Sequence, residues 1–181
     1  GSNNRTNQIF KFASASGDFH LAANDTGAVG YGADPFPDDD PLGHWSLDEN
    51  PASNGTTISD SSGHGYNGTL STGDGTTNKS LNGPSGQALN LDGTDDFVTI
   101  ANSTAFDFTD FTYSAWINAN DFDTWNTIID IDNDEQLFVL NSGQISIYGR
   151  CGSVAFDSIS KYVWYHVAWT VAGDTYRVYL N

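Results

Sequence analysis

Residues 88–100, Ala88-Leu89-Asn90-Leu91-Asp92-Gly93-Thr94-Asp95-Asp96-Phe97-Val98-Thr99-Ile100, constrain this chain more than any other stretch, because two alternating runs flank an Asp/Gly turn. A period of two sends successive side chains to opposite faces of a strand, so one face is buried and the other wet. The spacing predicts a half-buried β-hairpin across the turn. From His44 onward the pattern recurs. Segments 44–48, 87–91, 96–100, 111–118, 126–131, 136–140, 144–149, 164–171 and 175–180 are rich in Val, Ile, Thr, Phe, Tyr and Trp and lie between turns of Gly, Asn, Asp and Ser. No stretch carries a helical period, so the expected fold is all-β, an antiparallel two-sheet sandwich.

A chain of 181 residues is long enough for one domain with a full core, and nothing in it demands a second. The net charge of -17 arises from 21 Asp and two Glu, Glu49 and Glu135, against six basic residues. That balance repels phosphate backbones and anionic membrane surfaces, so nucleic acid is not expected as a partner. No apolar run is long enough to span a membrane. The single cysteine, Cys151, excludes an internal disulfide and a cysteine-based zinc site.

Residues 1–34 hold only short alternating pieces, Asn7-Gln8-Ile9-Phe10-Lys11-Phe12 and Asp18-Phe19-His20-Leu21-Ala22-Ala23-Asn24, which read as strand fragments without a core of their own. Asp34-Pro35-Phe36-Pro37-Asp38-Asp39-Asp40-Pro41 combines prolines with like charges. Prolines withhold ladder donors and repelling carboxylates favour extended, solvated backbone, so residues 35–43 are expected to be a linker. The sandwich is expected over 44–181.

Read together with His44-Trp45-Ser46-Leu47-Asp48-Glu49, Asp60-Ser61-Ser62-Gly63-His64-Gly65-Tyr66-Asn67-Gly68, Phe111-Thr112-Tyr113-Ser114-Ala115-Trp116-Ile117 and Trp164-Tyr165-His166-Val167-Ala168-Trp169-Thr170, the opening stretch resembles the laminin-G-like branch of the concanavalin-A-like jelly rolls. The resemblance covers about residues 44–181 and implies a jelly-roll β-sandwich in a secreted or cell-surface protein, of a kind that usually binds rather than catalyses. It also implies closing strands beyond a final Tyr-Leu-Asn. Either another chain or fragment, or residues 5–23, is expected to fill that sheet edge. Gly17-Asp18-Phe19-His20-Leu21-Ala22 is similar to the closing turns of secreted parallel β-helix proteins, polysaccharide lyases among them, which implies the tail of an upstream domain.

In the family, a loop such as 60–68 often holds a structural calcium. The residue types suit that role, because glycines let a loop fold tightly enough for carbonyl and carboxylate oxygens to converge on a hard cation. Asp60 and Asn67 are the expected side-chain ligands and Gly63 a carbonyl ligand, with Asp48 or Glu49 as additions. An ordinary Asx/Gly turn is the competing reading. His20, His44, His64 and His166 lack a paired zinc spacing, and His166 is expected to be a hydrogen-bonded structural residue.

No catalytic residue is assigned. Glucanases on the same fold place two Glu around an Asp on one strand, and Asp130, Asp132 and Asp134 would share a face by alternation. The only nearby Glu is Glu135, so an acidic turn explains this segment more simply. Trp45, Trp116, Trp164 and Trp169 lie in alternating runs and are assigned to packing. Trp125 follows a polar loop and is expected to be exposed, with Tyr148, Arg150 and Asp132 completing a sugar platform: an aromatic face for the C–H side of a pyranose and polar groups for its hydroxyls.

The sequence therefore predicts a non-catalytic carbohydrate-binding module of a larger secreted polysaccharide-active protein, its parent a polysaccharide lyase or glycoside hydrolase. The expected cofactor is structural Ca²⁺ and the expected partner a neutral polysaccharide. An adhesion or protein-interaction module is the alternative and a glucanase-type hydrolase the third reading.

Overall fold

The structure, a computed structural model, describes residues 41–73, 75, 77–107, 109–122, 126–131, 135–149 and 152–181. The chain divides into two compact units, Gly1–Leu42 and Gly43–Asn181, and the second carries the strands of the sandwich. The expected extension 1–34, most of the linker, and the candidate positions Trp125, Asp132 and Arg150 lie outside the described residues.

Among the described residues there is no α-helix. The strands are β1 (Thr57–Ile58), β2 (Gly68–Ser71), β3 (Ser80–Asn82), β4 (Gln87–Leu89), β5 (Phe97–Ile100), β6 (Phe111–Asn118), β7 (Asn126–Ile131), β8 (Glu135–Val139), β9 (Gln144–Gly149), β10 (Gly152–Ser158), β11 (Trp164–Ala172) and β12 (Thr175–Leu180), with a 3₁₀ turn at Thr104–Phe106. They form sheets ordered β10-β9-β8-β7, β12-β11-β6, β1-β2-β5 and β3-β4, and every pairing is antiparallel.

The first two sheets make the sandwich. Leu137 and Val139 of β8 and Ile145 and Ile147 of β9 form one buried cluster with Val167, Trp169 and Val171 of β11. These residues sit at period-two spacing on their strands, so alternation alone turns one face of each sheet inward. Phe111 meets the Trp169 ring edge-on, with centroids 4.9 Å apart and planes at 90°, an arrangement that suits the aromatic quadrupole. Each fully buried aliphatic side chain contributes about 1.5–3 kcal/mol. A second, smaller cluster of Ala52, Ile58 and Leu70, with Trp45, Leu47, Leu89 and Val98 packed against it, serves the β1-β2-β5 and β3-β4 sheets.

Two expectations are corrected. The runs either side of Asp92–Asp96 do not pair with each other: β4 pairs with β3 and β5 with β2. The turn's own carboxylates consume the donors that a hairpin would use. Asp92 N–H donates to Asp96 Oδ2 at 3.0 Å, and Asp92 Oδ1 accepts from Thr94 N–H at 2.8 Å. Segment 44–48 is not a strand either, and contributes one isolated bridge, Trp45 to Asp60. There the Trp45 indole N–H donates to the Tyr66 carbonyl at 2.7 Å, tying the segment to the 60–68 loop.

Candidate functional site

The loop expected to hold calcium is organised around the Asp60 carboxylate. Its Oδ1 accepts backbone N–H bonds from His44 and Ser62, each at 2.9 Å, and its Oδ2 accepts one from Tyr66 at 2.9 Å. Desolvation pulls the Asp60 carboxyl upward, but the donors from His44, Ser62 and Tyr66 outweigh it and hold the group far below the usual carboxylate range. Asn67 Oδ1 accepts from Asp60 N–H at 2.9 Å. Gly63 has φ +92°, a backbone conformation that suits glycine. Asp48 Oδ1 accepts from Gln87 N–H at 2.6 Å. Glu49 Oε1 accepts from Ser59 N–H at 2.8 Å, while Glu49 Oε2 is buried with no hydrogen-bond partner among the described residues.

A closer carboxylate cluster lies elsewhere. Asp92, Asp95 and Asp96 can bring one oxygen each within 4.8 Å of one another. A cation of the chain already sits there: Lys79 Nζ is 2.7 Å from Asp96 Oδ2 and 4.0 Å from Asp92 Oδ2. The Lys79 and Asp96 side chains are 7% and 0% exposed. The Thr94 backbone N–H foremost, with Lys79 and the Asp95 N–H adding to it, keeps the Asp92 carboxyl below its ordinary range.

The two described acids of the 130–135 segment do not converge. Asp130 is exposed and opposite Gln136, whereas Glu135, the next residue along β8, is buried and accepts a hydrogen bond from the Tyr176 hydroxyl at 3.1 Å. Adjacent positions on a strand face opposite ways. A Cβ at Gly149 would run into the Glu135 carboxylate, so the glycine makes room for a carboxylate folded into the sandwich.

Of the expected sugar platform, Tyr148 is described. It is 46% exposed and lies opposite Gln136 and Ser153, while its neighbours Ile145 and Ile147 turn into the core. Tyr148 therefore stands on the outer surface of the β10-β9-β8-β7 sheet.

The outer surface of β12-β11-β6 carries a set of residues that the sequence pattern assigned to packing or left out. Val167, Trp169 and Val171 point inward, so His166, Ala168 and Thr170 point outward. His166 lies opposite Trp116, Ala168 between Ser114 and Tyr179, and Thr170 between Thr112 and Arg177. Trp116 and Tyr179 are each 52% exposed. The Trp116 and His166 rings pack with centroids 5.3 Å apart at 55°. The His166 backbone is locked to Asn181 by bonds of 2.7 and 3.2 Å, and no hydrogen bond to its ring is found among the described residues. The signal was in β6: Phe111, Tyr113, Ala115 and Ile117 make one face and Thr112, Ser114, Trp116 and Asn118 the other, so Trp116 shares its parity with polar residues.

An open groove of about 300 Å³, lined by Ile145, Ala155, Phe156, Asp157, Val178 and Leu180, offers apolar walls and a single carboxylate. The aromatic outer face is the better site, because it combines flat apolar rings with hydroxyls and a guanidinium.

No curated protein matches the chain. A crystal structure of residues 221–444 of an S-layer domain-containing protein from Clostridium thermocellum is similar at 24% identity and a TM-score of 0.49, over 76% of this chain and 67% of that one. Residues 92–181 match the Laminin_G_3 family model, described as Concanavalin A-like lectin/glucanases superfamily. That stretch, which begins at the Asp92 turn and builds both sheets of the sandwich, is similar to the concanavalin A-like lectin/glucanase superfamily.

Proposed function

We propose that the protein is a non-catalytic carbohydrate-binding module of a larger secreted polysaccharide-active protein. The observation that carries this reading is the outer face of β6, β11 and β12, where Trp116 and Tyr179 are each half exposed on one sheet face. An exposed ring covers the C–H face of a pyranose, and neighbouring hydroxyl, amide and guanidinium groups take its hydroxyls. Tyr148, together with the sequence-predicted Trp125, Arg150 and Asp132, is proposed as a second contact surface. The net charge of -17 favours a polymer whose backbone is neutral. A tethered module of this type raises the local concentration of its partner domain on the polymer, which requires only weak affinity.

Calcium is part of the same proposal. Glu49 Oε2, buried without a hydrogen-bond partner among the described residues, is the oxygen that a hard cation would satisfy. Asp48, Asp60 and Asn67 would supply further oxygens and Gly63 a carbonyl. The ion would neutralise charge and tie the loop to the segment that precedes β1.

Affinity electrophoresis of the intact chain against neutral and acidic polysaccharides, with calcium and again with a chelator, tests the reading. Retardation by a neutral polymer is expected, weakened about tenfold or more in Trp116→Ala and reduced on chelation. A folded protein retarded by no polymer overturns the carbohydrate reading in favour of an adhesion role, and retardation indifferent to chelation removes calcium from it.

A further inference from the structure

Resting on the carbohydrate reading of the same face, we infer that its ligand is a mainly neutral pyranose chain bearing isolated carboxylated sugars, with Arg177 receiving the carboxylate. Among the described residues, the few cations of the chain are mostly spent on its own carboxylates. Three of the six basic residues are described. Lys79 is buried against Asp96, and Lys161 is paired with Asp121. Arg177 is exposed, and among the described residues it has neither an ion pair nor a hydrogen bond from its side chain.

With 23 acidic residues available, a guanidinium left without one is informative. The outward positions around it explain how this arises. Thr112, Ser114 and Trp116 of β6, Trp164, His166, Ala168 and Thr170 of β11, and Thr175 and Tyr179 of β12 include no carboxylate. Among the described residues the strand positions of this face thus carry one free cation and no carboxylate, with Asp110 and Asp174 only at its β11–β12 turn end, so the guanidinium is complementary to an anion brought by a ligand. A planar guanidinium fork binds a carboxylate through two parallel hydrogen bonds, stronger than those to a neutral hydroxyl.

The density of charge on the ligand follows from screening. The Debye length is about 8 Å at physiological ionic strength, so a single carboxylate seated on Arg177 interacts mainly with that residue. A polymer charged on every sugar would lay its remaining carboxylates over a surface of net charge -17 and be repelled. Sparse charge is favoured over both none and many. The geometry fits a branch beside a stacked sugar: Tyr179 and Arg177 are two positions apart on β12, about 7 Å along one face, and Trp116 lies two strands across and two residues further along on the far side of Tyr179 from Arg177, about 12 Å from Tyr179.

The test uses the full chain and three defined pairs of probes: glucuronoxylan, lightly carboxylated β-glucan and lightly carboxylated galactomannan, each beside its carboxyl-reduced or unmodified counterpart. Polygalacturonate serves as the dense polyanion. We expect at least one lightly charged polymer to bind about tenfold more tightly than its uncharged counterpart, and polygalacturonate more weakly than either. Arg177→Gln should bind both members of that pair alike, while Trp116→Ala should weaken both. Equal binding of charged and uncharged members by the wild type, or a preference that survives Arg177→Gln, overturns the inference and leaves the carbohydrate reading standing. Failure of the folded wild type to bind any of the probes overturns both.

Discussion

Lys79 and Asp96 form an ion pair where solvent hardly reaches, with a separation of 2.7 Å and side chains 7% and 0% exposed. Removing one member of such a pair leaves the other as an uncompensated buried charge, so Lys79→Ala is expected to cost about 3–5 kcal/mol. Replacing both by apolar residues of similar volume should cost much less. Denaturant unfolding of the single and double variants checks this; a single-variant loss under about 1 kcal/mol, the level of a surface pair, would show that water reaches the site. The pair was not legible in the sequence. Lys79 lies between two strands with no periodic pattern around it, and a lysine in such a segment reads as solvated. The Asp92–Asp96 turn was visible, but its carboxylates were read only as turn formers. Their capture of backbone donors and of Lys79, which steers β4 and β5 to different partners, depends on a residue outside the motif.

At the scale of the element, β6 and β11 show how one strand separates structure from surface. Trp169 is fully buried and packed edge-on against Phe111, whereas Trp116, on the opposite parity, is 52% exposed. Trp169→Ala should therefore cost about 3–5 kcal/mol through lost burial and a residual cavity. Trp116→Ala should change stability by about 0.5 kcal/mol, as expected at the surface. Equilibrium unfolding of the two variants checks the contrast, and comparable losses would mean that Trp116 packs rather than presents. The boundaries of β6, β7, β9 and β12 agree with the alternation read from the sequence to within a residue. β1, β2, β3 and β10 were missed. They are short or lie among Gly, Ser and Asn, and their stability comes from partners elsewhere in the chain rather than from local pattern. The position of Trp116 was legible in principle, but a tryptophan in an apolar run defaults to the core unless parity is weighed against area.

For the molecule as a whole, topology outweighs local pairing. β11 joins β6 by an uninterrupted eight-pair ladder from Trp164–Asn118 to Val171–Phe111, and β5 reaches back to β2. Domains dominated by such non-local pairings fold on a timescale of about milliseconds to seconds, because loop closure precedes the reward of contact. Stopped-flow refolding monitored by tryptophan fluorescence should show a main phase in that range, and a microsecond phase carrying the full amplitude would contradict the topology. The β6–β11 ladder also sets an order of events on the ribosome. Val171 and Phe111 are roughly sixty residues apart in the chain, so β6, once synthesised, must wait several seconds at about 5–20 residues per second before its partner emerges. During that interval the backbone donors and acceptors of β6 stand without the strand that pairs with them. Holding this strand from other nascent chains is the task that this fold hands to the cell that makes it.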